Sequence, residues 1–203
     1  DLEHLECLLR EDAPQFDLRE APRGEGAKMV IYARQKLSLS RIMPLLNNLR
    51  LHVVEELFYE VTLPDNPAYL HTFYLQSGNG QNLDLVALHE SLRELVFRIL
   101  DDRLEDDPLT TLLLTCGFDW RRISVMRLYR NYLMQVGTVY TKATINETLI
   151  QRPAATRALF SLFEAMFNPD QLGRESAIAR ATETLADAER EIESLTEDRI
   201  VKS

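Results

Sequence analysis

Between Lys28 and Ile99 the hydrophobic period of this 203-residue chain switches repeatedly between strand and helix spacing, and no other feature narrows its fold as far. Lys28 to Arg34 centres on Met29, Val30, Ile31 and Tyr32, a short apolar run that reads as a buried strand. Ser38 or Ser40 then caps a helix through Ile42, Met43, Leu45, Leu46 and Leu49, in which Pro44 removes one early helical hydrogen bond. From Leu51 to Leu63, Leu57, Tyr59, Val61 and Leu63 alternate with Phe58, Glu60 and Thr62, as a strand requires. Glu55 and Glu56 break the alternation and predict a bulge or bend. The turn Pro64-Asp65-Asn66-Pro67 leads to a partner strand, Tyr69 to Gln76. After the loop Gly78-Asn79-Gly80, Asp84 or Asn82 caps a helix lined by Leu85, Leu88, Leu92, Leu95, Val96 and Ile99.

The order is β-α-β-β-α, and a ferredoxin-type split β-α-β fold would add one more strand. None is legible downstream. Residues 26–100 therefore read as an incomplete ferredoxin-like α/β domain with a sheet edge for another domain to cover. Residues 1–25 read as the end of a preceding helix, with Leu2, Leu5, Leu8 and Leu9 on one face, and a connector from Ala13 punctuated by Pro14, Pro22, Gly24 and Gly26. Residues 101–203 read as all-helical, so the fold class is α+β followed by a helical region. Asp107-Pro108 opens a short helix through Leu112 to Leu114. Asp119 caps a longer one carrying Trp120, Ile123, Leu128, Tyr129, Tyr132, Leu133 and Val136, which Gly137 ends. Thr141 or Thr144 starts another short helix. Pro153 opens a helix that buries Leu159, Phe160, Leu162, Phe163, Met166 and Phe167 and stops at Asn168-Pro169. From Glu175 to Glu193 the chain is alanine-rich and acidic, anchored only by Ile178, Leu185 and Ile192, so a helix there leans on neighbouring structure.

A formal net charge of −9 disfavours nucleic acid or an anionic membrane as partner. The local basic cluster Arg121, Arg122, Arg127 and Arg130 is assigned to the wet face of its helix. Cys7 and Cys116 form no C-x-x-C unit, which fits a reducing, cytoplasmic compartment. No signal peptide and no apolar run of roughly 18 residues is present, so no membrane insertion is expected. The start at Asp1, without Met, reads as that of a fragment.

The search for chemistry yields little. His4, His52, His71 and His89 lack H-E-x-x-H spacing and lie away from the cysteines, although His52 and His71 could meet across paired strands. The acidic run Asp101, Asp102, Glu105, Asp106 and Asp107 lacks the ligand order of a calcium loop and reads as a solvated helix end. Ser77-Gly78-Asn79-Gly80 matches neither glycine-rich phosphate motif and reads as a turn. The stripe Trp120, Tyr129 and Tyr132, with Phe163, is assigned to core or interdomain packing. Catalytic, cofactor and metal residues are therefore expected to be none.

Several stretches resemble the large, NAD-specific glutamate dehydrogenases of bacteria. LSLSRIMPLLNNLRLHV, from Leu37, is similar to that family's SLSDVLPMLENLGLRV, and Glu55 to Val61 to its D-E-R-P-Y-E-V. Gly117-Phe118-Asp119-Trp120-Arg121 and Leu128 to Leu133 resemble G-L-x-W-R and R-x-Y-x-K-Y-L-R-Q. Gln151-Arg152-Pro153 and Leu162 to Pro169 resemble R-H-P and L-F-E-A-R-F-D-P, and Ser194 to Ile200 resembles S-L-D-E-D-R-I. The resemblance implies an ACT-like domain at about residues 26–100 and a helical linker after it. It also implies a parent enzyme that deaminates glutamate oxidatively with NAD, whose catalytic lysine, aspartate and dinucleotide fold lie beyond Ser203. The partners it implies are other domains of the same chain and further copies of the parent. A segment mediating interdomain or subunit contacts is the leading expectation. An amino-acid-sensing module is the alternative, with Arg34, Asn47 and Asn48 as its effector contacts. Against the alternative, the turn Arg34-Gln35-Lys36-Leu37-Ser38 lacks the glycine that amino-acid-binding ACT domains usually place there.

Overall fold

The computed structural model describes residues 2–22, 26–62, 67–78, 80 and 83–203, in two compact units, residues 1–107 and 108–203. Expectations resting on Gly24, Leu63, Pro64, Asp65, Asn66, Asn79 and Asn82 lie outside the described residues.

The first unit runs α1 (Leu2–Glu11), β1 (Gln15–Glu20), β2 (Ala27–Ala33), α2 (Leu39–Asn48), β3 (Leu51–Val61), β4 (Ala68–Ser77) and α3 (Leu85–Leu100). Its four strands form one antiparallel sheet in the order β1-β2-β4-β3. The stretch read as a connector is thus the missing fourth strand. It pairs in register with β2 from Gln15↔Tyr32 to Glu20↔Ala27, and it occupies the sheet edge that the sequence reading left open. The physical reason is the central position of β2. Its backbone groups need partners along both edges, and β4 supplies only one. Phe16 and Leu18, both buried, alternate with Asp17 and Arg19 and carry the strand signal in a stretch dominated by proline and glycine.

The apolar run of β2 is explained by cover on both faces. Ile31 shares a face with Phe16, whose ring meets Phe97 and His89 of α3, and α2 packs beside α3. Val30 and Tyr32 point the other way, against Leu8 and Leu5 of α1, with Ala68, Leu70 and Val61 alongside. The bulge expected near Glu55 is present as a register shift between Val53 and Glu55. Asp84 caps α3 by accepting the Ala87 N–H at 3.1 Å. Ser38 flanks α2, but its hydroxyl is bonded to Ser40 Oγ at 2.6 Å and makes no cap. In the acidic run, Asp102 is met by Arg41 at 2.6 Å.

The second unit begins with a 3-10 turn, Pro108–Thr111, and continues through α4 (Leu112–Cys116), α5 (Trp120–Gln135), α6 (Lys142–Gln151), α7 (Pro153–Phe167), α8 (Arg174–Arg190) and α9 (Leu195–Val201). Local signals place these helices well. Asp119 accepts the Arg122 N–H at 2.9 Å, Thr141 accepts that of Thr144 at 3.1 Å, and Pro153 sits in the first turn of α7. Helix α8 lies along α7, where Ala181 is its one buried residue, small enough for close approach.

The rotation of α5 overturns the sequence reading. Its buried face is Ile123, Met126, Arg127 and Arg130, an i, i+3, i+4, i+7 set, while Leu128, Tyr129, Tyr132 and Val136 are exposed. Arg127 and Arg130, assigned to water, are inside because polar partners await them. Arg127 donates to Thr110 Oγ1 at 2.9 Å, and Arg130, 1% exposed, donates to Asn146 Oδ1 at 3.0 Å and to Asn131 Oδ1 at 2.9 and 3.1 Å.

Two outcomes test these assignments. Gly26 has a positive φ of 98°, and an added Cβ would collide with the Leu75 carbonyl oxygen of β4. Gly26→Ala should lower unfolding stability by about 1–3 kcal/mol in urea titration. Arg130→Ala strips the buried Asn146 amide of its donor and should cost about 1–3 kcal/mol in the same assay.

Candidate functional site

Two surfaces among the described residues are concave and chemically distinctive, one in each unit. In the first, the loop from β2 to α2 closes over the end of the sheet. A pocket of about 460 Å³ there is lined by Lys36, Leu37, Ser38, Glu56, Phe58 and His71. Register builds it: Phe58 lies opposite His71 and Glu56 opposite Phe73, so all four share the face that carries Ile31. His71, 1% exposed, has both ring nitrogens engaged. Leu37 N–H donates to Nε2 at 3.3 Å, and Nδ1 lies 3.3 Å from Glu56 Oε1. A ring that accepts at Nε2 is neutral, with its proton on Nδ1 toward the carboxylate. Burial holds the His71 pKa below its ordinary value; Lys36 acts the same way and Glu56 opposes both. The ring sits 4.9 Å from that of Phe58, and the Lys36 ammonium lies 4.6 Å from the centre of the same Phe58 ring.

The second surface is an apolar groove of about 490 Å³ between α5, α7 and α9. An aromatic row leads out to it, from Phe118 to Phe160 at 5.1 Å, then Phe163 at 5.8 Å and Phe167 at 5.3 Å, with Tyr129 edge-on to Phe163 at 5.7 Å. Phe118 and Phe160 are buried, whereas Tyr132 and Phe167 remain 58% and 57% exposed. Helix α9 forms part of the wall through Ile200 and Val201 and is tied down by Arg152, which reaches Glu197 Oε2 at 2.9 and 2.6 Å.

The residues singled out from sequence fall in separate places. Arg34, at the loop after β2, is ion-paired with Asp12 at 3.3 Å, whereas Asn47 and Asn48 end α2. A ten-residue helix, roughly 15 Å long, separates them, so the structure does not gather them into one site. Trp120 is half-buried at the start of α5 beneath the Arg121 guanidinium, 4.5 Å from its ring. Tyr129, Tyr132 and Phe163 do meet, as walls of the groove. His52 pairs with Gln76 and not with His71. Sequence reasoning missed the Lys36, Glu56, Phe58 and His71 cluster. The Glu56/Phe58 and His71/Phe73 spacings, two apart on strands expected to pair, were the signal available for it.

Among the described residues, no group of three or more His, Cys, Asp or Glu could hold a metal, and no helix is long and apolar enough to cross a membrane.

Comparison with known proteins draws the two units together. Residues 16–88 match the family model "Glutamate dehydrogenase, ACT3 domain", and residues 104–169 match "Glutamate dehydrogenase, helical motif 3". The chain belongs to the large NAD-specific glutamate dehydrogenase family. Among relatives named NAD-specific glutamate dehydrogenase, that of Mycobacterium tuberculosis is 32% identical over 175 residues, which is 82% of this chain and 11% of the relative. Those of Halomonas elongata and Pseudomonas aeruginosa are each 28% identical, over 88% and 100% of this chain and 11% and 13% of their own lengths. The chain thus spans about a tenth of the curated relatives it matches. The ACT3 match begins at Phe16, inside β1, so the family's domain includes the N-terminal strand that the sequence reading placed outside it.

Two stretches that carried the family resemblance, Gln151-Arg152-Pro153 and Ser194 to Ile200, are joined by the Arg152–Glu197 pair. Glu197→Gln should cost about 1 kcal/mol and speed amide exchange in α9 before any other helix of the unit.

Proposed function

We propose that this chain is a non-catalytic structural segment of an NAD-dependent glutamate dehydrogenase, and that its aromatic groove seats another domain of the same parent polypeptide. The parent converts L-glutamate to 2-oxoglutarate and ammonia, with NAD as hydride acceptor, in a cytoplasmic homo-oligomer. Its catalytic groups and its NAD site lie outside residues 1–203 in this reading. The observation that carries the proposal is the groove itself. Tyr132, Phe167 and Met166 stay exposed around a cavity that continues an otherwise closed aromatic core. Apolar surface of this kind, rich in Tyr, Phe and Met, is the composition of a buried contact. The choice of occupant rests on length: about nine-tenths of each relative lies outside the matched region.

Tyr132→Glu and Phe167→Glu in the full-length enzyme test this. Because both side chains are largely exposed here, the 203-residue chain should keep its stability within about 0.5 kcal/mol. The full-length enzyme should lose thermal stability and activity together. Loss of oligomer mass with intact protomers would assign the groove to a subunit contact, and unchanged assembly and activity would remove its role.

A second reading, an amino-acid-sensing module, has one observation in its favour. The pocket beside the β2–α2 loop sets Lys36 and Glu56, opposite in charge, around one small cavity. Its contacts would then be Lys36 and Glu56, with Arg34 at the edge of the same loop and Asn47 and Asn48 remote from it. Calorimetric titration of the chain with the common amino acids should show saturable heat that Glu56→Gln abolishes. Silence toward all of them would leave the structural reading alone.

A further inference from the structure

His71 holds two different kinds of neighbour, and only one protonation state serves both. The neutral ring accepts the Leu37 N–H at Nε2 and offers its Nδ1 proton to Glu56. An imidazolium carries protons on both nitrogens, so Nε2 would then point a donor at the Leu37 donor. The Glu56 contact survives that change and becomes an ion pair. We infer that His71 is a proton-operated latch on the β2–α2 loop, residues 34–38: neutral, it ties the loop to the sheet, and protonated, it stays on Glu56 and lets the loop go.

Besides the Ser38 carbonyl, which accepts the Arg41 and Ile42 N–H groups of α2, the side-chain ties described for the loop are exposed ones. Arg34 reaches Asp12, whose side chain is 82% exposed, and such a pair is weak in water. Lys36 lies over Phe58 from an exposed position, and Ser38 contributes no side-chain cap to α2. The Leu37 bond is the contact that ends on a buried side chain. What it anchors is the entry to α2, whose Ile42, Leu45 and Leu46 fill the core under the sheet.

The groups that bias the latch are few. Glu56 from β3 favours the imidazolium, while Lys36 from the loop opposes it, and the neighbours Ile31, Phe58 and Phe73 bring no charge. Burial outweighs Glu56, so the pKa of the folded ring lies below the ordinary 6.5. The released or unfolded chain therefore binds the proton more readily. The tie is fully present above pH 6.5 and is lost as pH falls through the depressed folded value.

Amide exchange of the 203-residue chain, followed by NMR from about pH 8 to pH 5 with the His71 ring resonances as internal titration, tests the latch. Corrected for intrinsic exchange, Leu37 protection should fall by about tenfold or more as the ring protonates, while amides in the middle of β2 and α2 stay protected. His71→Gln keeps a donor and an acceptor but does not titrate, so Leu37 should stay protected at every pH. Glu56→Gln removes the group favouring the imidazolium, and release should move to lower pH. Three results overturn the proposal: Leu37 protection indifferent to the ring's titration, a pH response in His71→Gln equal to the unsubstituted chain's, or a ring that remains neutral until the whole chain unfolds. Should His71→Gln not fold, the direction of the Glu56→Gln shift decides, and no shift or an upward one overturns it.

Discussion

Strand β2 is paired along both edges and covered on both faces, and the first unit is built around that enclosure. Every backbone N–H and C=O that water cannot reach must find a partner, so a central strand of this kind requires two neighbours. With β4 on one side, the other place must be filled by whatever chain is near. The stretch just upstream, carrying Phe16 and Leu18 at strand spacing, fills it by hairpin pairing. The ferredoxin-like layout is thereby completed with its fourth strand drawn from the N-terminal side. Helix α1 then follows, because a strand buried on both faces leaves Val30 and Tyr32 to be covered by something other than α2 and α3.

In the helical unit a different constraint rules. Arg130 is almost fully enclosed, and a guanidinium with five donors inside a core is tolerable only among acceptors. Asn146 and Asn131 accept from it, and Thr110 accepts from Arg127 Nη2. This polar layer settles the rotation of α5. Because the arginines take the inward face, Leu128, Tyr132 and Val136 are turned out, and Tyr129 and Tyr132 line the groove with Phe163 and Phe167 of α7. The surface on which the proposed contact function rests is thus a by-product of burying charge.

Much of the architecture was legible, and the legible parts share a cause. Asp84, Asp119 and Thr141 cap their helices, Pro153 opens another, and Glu55 sits at the bulge, each through interactions within a few residues. The misses were of another kind. Pro14, Pro22 and Gly26 around β1 look like a connector until the free edge of β2 is known. Arg127 and Arg130 look solvated until Thr110 and Asn146, 17 and 16 residues away, are brought beside them. His52 and His71 could meet across paired strands on sequence alone, but register gives His71 Phe58 opposite it and Glu56 beside it, and a one-residue difference in pairing would have turned them to the other face.

The α+β class and the helical region after it followed from hydrophobic period, a property of neighbouring residues, and the family from the resemblance of stretches such as Leu37 to Val53. Which strand completes the sheet, which face of α5 is inward and what His71 touches were decided only when distant segments met. Each depends on whether a buried polar group finds its partner, and a single chain read in order does not reveal who that partner is.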